Sequence, residues 1–558
     1  MRKLLAATFV AVAALLVSPS LSVAQSTPPA AVVFLEDASL PELLEVPELR
    51  ALAANGGVAL MNGRTGIEEA MRSVIDSRDT TAAPVTAHAI YAENPGDAAA
   101  QAADWLDRRE DDEVLILVIS GSPSAESAVE GDELGTVVLA RGDPATLLEA
   151  TGEPRALTSD STRRAGVVAD VDPAATVADW LDLPSEAGAP IGTTDDPAPL
   201  DLYERYLQQR RLAVPAAAVS WGFVALAGLG SVLALGFRRR LSGRTLWVAG
   251  LIPASVPWLA LALLLVGHLP GLTAATVVPT VVLIMVAGVA FTRWVVARRG
   301  IFVATAACGA VILLALAVEA ALGWPAAVTP LAGGGQLDGG RFFGMPNIEI
   351  GIVLGSALFV AHRVRVSTGV LLLLACALVA GSPWTGSNFG ATITLSAAAG
   401  LWWGIRRQRP WWAVLLIAGA VTAGGAAVVA LMHRYLVDRA THVTAFLESG
   451  GGVAGAVERQ LERLQVGLDL ITDSPFALIP IVGTLVLLVV VLRPPGPIAR
   501  SFEGHDAWRD AVLVIVLGSI VAYLVEDTGA AALGFGFGFA LAGLLDVSLA
   551  VAREKMTR

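Results

Sequence analysis

From residue 209 to the C-terminus, long apolar runs alternate with short arginine-bearing breaks, a pattern that predicts a bundle of membrane-spanning helices. The runs are Val214–Phe237, Leu246–Leu269, Ala274–Val296, Ile301–Trp324, Ile348–Ala361, Thr368–Ala380, Phe389–Ile405, Trp411–Met432, Phe476–Leu492, Asp506–Val525 and Ala530–Ala552. They amount to about 11 spans, each apolar enough to sit in hydrocarbon. Two of them, 348–361 and 368–380, are short and suggest a broken helix or a cavity. Between Met432 and Phe476 lies an amphipathic external stretch, 434–474, in which Val457–Ile471 suits a helix lying on the membrane surface or capping the bundle.

Before residue 209 the pattern changes. Ala31–Leu35, Val114–Ile119 and Thr136–Ala140 are short β-branched runs, separated by helix-like stretches at Pro41–Ala54, Gly66–Asp76 and Pro95–Arg108. Such alternation predicts an α/β domain with a parallel sheet between helical layers. The first residues carry a basic start, an apolar core and small residues near Val23-Ala24-Gln25, as a secretory signal peptide does. The expected division is a signal peptide at 1–25, an exported α/β domain at 26–208 and a polytopic domain at 209–558, with Pro184–Pro199 as the linker.

Charge orients this arrangement. Clusters at Arg238–Arg240, Arg298–Arg299, Arg363–Arg365, Arg406–Arg409 and Arg493 fall on alternate ends of successive runs, which assigns those ends to the cytoplasm. The chain is then a multi-pass plasma-membrane protein, its N-terminal domain outside and its C-terminus inside. The formal net charge of -12 is concentrated in the exported part, which argues against nucleic acid as a partner. The bilayer is the expected partner; the oligomeric state stays open. Both cysteines, Cys308 and Cys376, lie in apolar runs and offer neither a disulfide framework nor a metal site.

Three polar turns remain, all on the predicted outer face. The glycine-rich stretch 333–351 carries Asp338, Arg341, Asn347 and Glu349; the turn 381–390 carries Asn388; the turn 525–529 carries Glu526 and Asp527. Charges at a membrane boundary are costly unless paired or solvated, so convergence of these turns on one pocket is the functional expectation. Asp338, Glu349, Glu526 and Asp527 are candidates for a general base or for holding a cation. Arg341, Asn347 and Asn388 are candidates for substrate binding, with Arg341 suited to a phosphate or carboxylate, or else to neutralising a neighbouring carboxylate. The span interiors are nearly free of charge apart from Glu319 and Arg293.

The exported domain resembles the phosphoglycerate-mutase-like branch of the alkaline phosphatase superfamily. The likeness lies in Val32–Leu44 and Leu49–Thr65, similar to that family's opening segment, and in Leu157–Thr176, similar to its closing one. Active members hold two metal ions through several Asp and His residues and use a Ser or Thr nucleophile. Here His88 is the domain's one histidine, and Asp37 stands where a metal-binding Asp would be without visible partners. The resemblance therefore implies a shortened, degenerate, non-catalytic domain with no metal and no cofactor, joined to a bundle as in polytopic bacterial envelope proteins. Three functions stay open: a membrane enzyme handling a lipid-linked or anionic envelope substrate, a transporter or flippase, and a scaffold that binds a partner protein.

Overall fold

The computed structural model describes residues 30–35, 38–62, 87–92, 94–109, 113–120, 135–149, 151–169, 172–181, 188–331, 335, 337, 343–437, 478–526 and 529–557. The signal peptide, the helix expected at 66–76 and the amphipathic stretch from 438 onward lie outside them.

The N-terminal region is an eight-stranded sheet with helices on both faces. Its strands are β1 (Ala30–Leu35), β2 (Gly57–Asn62), β3 (Ala87–Ala92), β4 (Val114–Ser120), β5 (Gly135–Gly142), β6 (Arg155–Ser159), β7 (Val167–Ala169) and β8 (Ile191–Pro197), ordered β3-β1-β4-β5-β2-β7-β6-β8. The expected parallel sheet is in fact mixed. β1 pairs parallel with β3 and β4, but β5 runs antiparallel to both β4 and β2, and β8 antiparallel to β6. Both faces are covered, so β4 and β5 read as continuous apolar runs whatever their direction. Two other expectations change. The single helix over 41–54 is two, α1 (Leu40–Glu45) and α2 (Pro47–Asn55), because Pro47 holds Val46 extended between them. The expected linker contains β8, whose Thr193 and Thr194 favour a strand and whose Asp195 and Asp196 suit an edge.

One face of the sheet buries α1, α2 and α3 (Pro95–Asp107) through Leu40, Leu43, Leu49, Leu52 and Trp105. The same core takes in Tyr206, Val328 and Leu337 from beyond the sheet region, so the α/β region and the helical bundle share apolar packing.

After α4 (Pro144–Leu147) and α5 (Asp172–Trp180), the helical part begins with α6 (Leu200–Gly236), α7 (Gly243–Leu265), α8 (Ala274–Arg299) and α9 (Ile301–Ala321). It continues with α10 (Glu349–Ala361), α11 (Val366–Gly381), α12 (Phe389–Arg406) and α13 (Trp411–Tyr435). The last four are α14 (Leu478–Leu492), α15 (Gly496–Phe502), α16 (Asp506–Val525) and α17 (Gly529–Thr557). Among the described residues, seven helices are long and apolar enough to cross a membrane, or eight if α14 and α15, bent by 69°, form one span. That is fewer than the 11 runs suggested; α10 and α11 are the short ones. Exposed leucines, valines and tryptophans along α6, α8 and α13 are what a lipid-facing surface carries. The architecture is that of a multi-pass membrane protein with an α/β region at one end. At the other end Arg299, Arg363 and Arg500 line one crevice with Glu503 and Glu554.

Candidate functional site

The turn before α10 and the turn before α12 are pinned together at the end of the bundle that carries the α/β region. Gly344 takes φ 99° and its Cα lies so near the Gly386 carbonyl that a Cβ would come within 2.0 Å of that oxygen. Met345 N–H donates to the same carbonyl at 2.8 Å. Asn388 then spans the gap: its Nδ2 donates to Met345 O at 3.1 Å and to the Asn347 side-chain oxygen at 3.2 Å. Its own side-chain oxygen caps α12 by accepting from Ala391 N–H at 2.7 Å. Both asparagines are buried. The third turn joins through Glu526, whose carboxylate lies where a Cβ on Gly390 would sit, 1.7 Å away.

Glu349 opens α10 and is fully buried, and among the described residues neither of its carboxylate oxygens meets a hydrogen-bond donor. It is close enough to Glu319 for their charges to interact. Glu319 is itself held: His268 Nε2 contacts one oxygen, and Ala326 N–H donates to the other at 3.1 Å. A buried carboxylate without a donor is expensive, and Glu349 therefore marks the point where a proton, a cation or a ligand's donor group is required. Asn347 and Asn388 thus meet, Glu526 packs against Gly390 two residues on, and Glu349, two residues after Asn347, lies near Glu319. Asp338, Arg341 and Asp527 lie outside the described residues, and with them the expected role of Arg341 in binding an anion or neutralising a carboxylate.

The α/β region sits on this end of the bundle by contacts that no sequence motif marks. In the turn between β6 and β7, Arg163 donates to Pro383 O at 2.7 Å and lies 4.1 Å from the centre of the Phe343 ring. Arg164 donates to Gly323 O at 3.3 Å. Within the helical part at the same end, Arg205 on α6 contacts Gly267 O and donates to Thr329 Oγ1 at 3.3 Å, and Gln209 donates to Pro330 O at 3.3 Å. Trp324 Nε1 donates to Thr385 O at 2.5 Å. Of the four described non-glycine residues with positive φ, three belong to this junction: Arg163 (54°), Trp324 (60°) and Ser387 (47°). Left-handed backbone at such residues is strained and persists where the surroundings over-determine it.

Asp172 supplies that determination on the α/β side. Its carboxylate accepts from Ser159 Oγ (2.5 Å), Ser161 Oγ (2.6 Å), Ala169 N–H (2.7 Å) and Ala189 N–H (2.9 Å), which fixes the turn carrying Arg163 and Arg164. Burial pushes its carboxyl above the ordinary range, and the four donors pull it back part of the way. The one signal available in sequence was an Arg163-Arg164 pair within an acid-rich region.

Deeper in the bundle Arg293 pairs with Asp546 at 2.6 Å and also contacts Gly250 O. Arg293 stood out in the sequence; its partner, inside the last apolar run, did not.

Among the described residues no group of three or more His, Cys, Asp or Glu side chains is placed to hold a metal ion. The chain matches no family model, no curated protein and no solved structure.

Proposed function

We propose that this chain is a multi-pass cell-envelope membrane protein that takes the polar headgroup of a lipid-linked substrate into the site formed by Asn347, Glu349, Asn388 and Glu526. In this reading the α/β region is a non-catalytic recognition module seated over the site. The observation that carries it is Glu349, a fully buried carboxylate with no donor among the described residues, two positions from Asn347, whose side chain meets that of Asn388. Carboxylates and amides together suit a ligand rich in hydroxyl or amine donors, such as a sugar or aminoalcohol headgroup. Lateral supply from the bilayer is supported by an apolar crevice between α6, α7 and α17, lined by Trp221, Leu263, Leu331 and Phe535. A carboxylate so placed has the chemistry of a general base toward a bound hydroxyl.

The test is the lipid that accompanies the full-length protein through purification. A headgroup-bearing envelope lipid should be enriched over the bulk extract in the wild type and depleted in Glu349→Gln, which keeps the shape and removes the ionisable acid. A bound-lipid profile identical to the bulk membrane in both proteins would remove this reading.

A transporter remains the second reading because of the Arg293–Asp546 pair. Ion pairs inside membrane helices often mark a transport path.

A further inference from the structure

We infer that Arg164 and Arg205 form a binding site for a phosphate-bearing anion at the junction of the α/β region and the bundle. The inference rests on the membrane reading above and deepens it by giving the substrate a phosphate.

The two arginines arrive from different parts of the chain onto one platform. Arg164 reaches Gly323 O, and Arg205 reaches Gly267 O and Thr329 Oγ1. The platform is the pair of 3-10 turns 266–268 and 325–328, packed so closely that a Cβ on Gly267 would lie 2.1 Å from Ala326 O. Every acceptor they meet is thus a neutral backbone carbonyl or a hydroxyl. Among the described residues neither guanidinium pairs with a carboxylate, and the Nε of each is buried without an acceptor. Glu319, the acid beneath the platform, is occupied by His268 and by the Ala326 amide.

The two guanidiniums also stand close enough to repel. Burial lowers the pKa of Arg164, and the charge of Arg205 lowers it further. Two half-buried, mutually repelling cations with donors to spare call for a shared anion. A planar guanidinium fork matches phosphate oxygens two at a time, which a pair of arginines from separate elements exploits well. Thr329 lies two residues before Leu331, which lines the apolar crevice. The arginine platform and the apolar crevice thus share the segment 329–331.

The experiment uses the full-length protein and two probes. Inorganic phosphate is titrated in a neutral detergent, and separately the protein is placed in nanodiscs containing either phosphatidic acid or an uncharged, phosphate-free glycolipid. Thermal unfolding is the readout, with chloride at matched ionic strength as the control. Arg164→Gln and Arg205→Gln each keep a donor for the platform carbonyls, and their melting without added anion checks that they fold. The wild type should be stabilised by phosphate in at least one arm, with apparent affinity about tenfold weaker in each variant and unchanged in Arg239→Gln at the far end of α6. A response to phosphatidic acid alone assigns the anion to a lipid headgroup, and a response to inorganic phosphate extends it to free phosphates. No response in either arm, an equal response to chloride, or undiminished responses in both arginine variants would overturn the site. The two readings separate cleanly. Phosphate binding together with an unselective lipid profile leaves the arginine site standing without lipid handling. A selective lipid profile with no loss in the arginine variants does the reverse.

Discussion

Arg163, in a turn of the sheet region, donates a 2.7 Å hydrogen bond to the backbone carbonyl of Pro383, 220 residues further along the chain. That bond and the stack on Phe343 tie the α/β region to two of the three polar turns. A charged donor on a neutral acceptor contributes about 1.5–3 kcal/mol, and the ring contact about 0.5–1 kcal/mol more. Arg163→Ala should therefore loosen the junction without unfolding either part. Limited proteolysis of the full chain should show faster cleavage around 381–390, with the sheet strands still protected. Unchanged cleavage there would mean that the shared apolar packing of Tyr206 and Val328 suffices.

Asp172 makes a pH prediction. Its folded carboxyl is raised above the ordinary value of 3.8 because it is buried. A raised acid binds its proton more tightly when folded, so the stability it contributes is fully present below the ordinary value and is lost as pH rises through the folded one. Asp172→Asn removes the titration. The wild type's melting advantage over Asp172→Asn should grow as pH falls from neutrality towards 3.8. Growth in the opposite direction would mean that the four donors outweigh burial and that the carboxylate is the favoured form.

Gly390 is there for Glu526. A methyl on Gly390 would meet Glu526 Oε1 at 1.7 Å and must drive the carboxylate away. Gly390→Ala should destabilise by about 1–3 kcal/mol as overpacking does, and Glu526→Ala in the same chain should recover most of it. Equal losses in the single and double variants would place the clash elsewhere. Thermal unfolding in detergent is the measurement.

For Arg293 and Asp546 a double-mutant cycle is the test. Removing the arginine alone leaves a buried carboxylate unpaired, at about 3–5 kcal/mol. Arg293→Leu should thus lower folded yield sharply, while Arg293→Leu with Asp546→Leu should recover it, because a packed apolar pair replaces the ion pair. If the recovered protein also keeps its bound lipid, the pair is structural and the transport reading loses its support.

The candidate site was partly legible before the fold was known. Asn347, Glu349, Asn388 and Glu526 stood out because polar residues are rare beside apolar runs. The structure adds that Asn388 reaches Asn347 at 3.2 Å, while Gly390 makes room for Glu526. Arg163, Arg164 and Arg205 carry no such signal, since an arginine in a polar region bears no mark of what it will face. Asp546 was hidden in an apolar run because its partner lies 253 residues away.

The sequence by itself determined the apolar helices, the α/β pattern ahead of them and the turns in which polar groups gather. Periodicity and hydropathy are local properties, and burial in lipid or in a sheet reads them directly. Only the tertiary structure decided that the sheet is mixed, that β8 lies within the expected linker, and that Arg164 and Arg205 meet on one platform. Strand direction and side-chain meetings depend on distant segments arriving together, and no local run of residues encodes which distant carbonyl or carboxylate will be there.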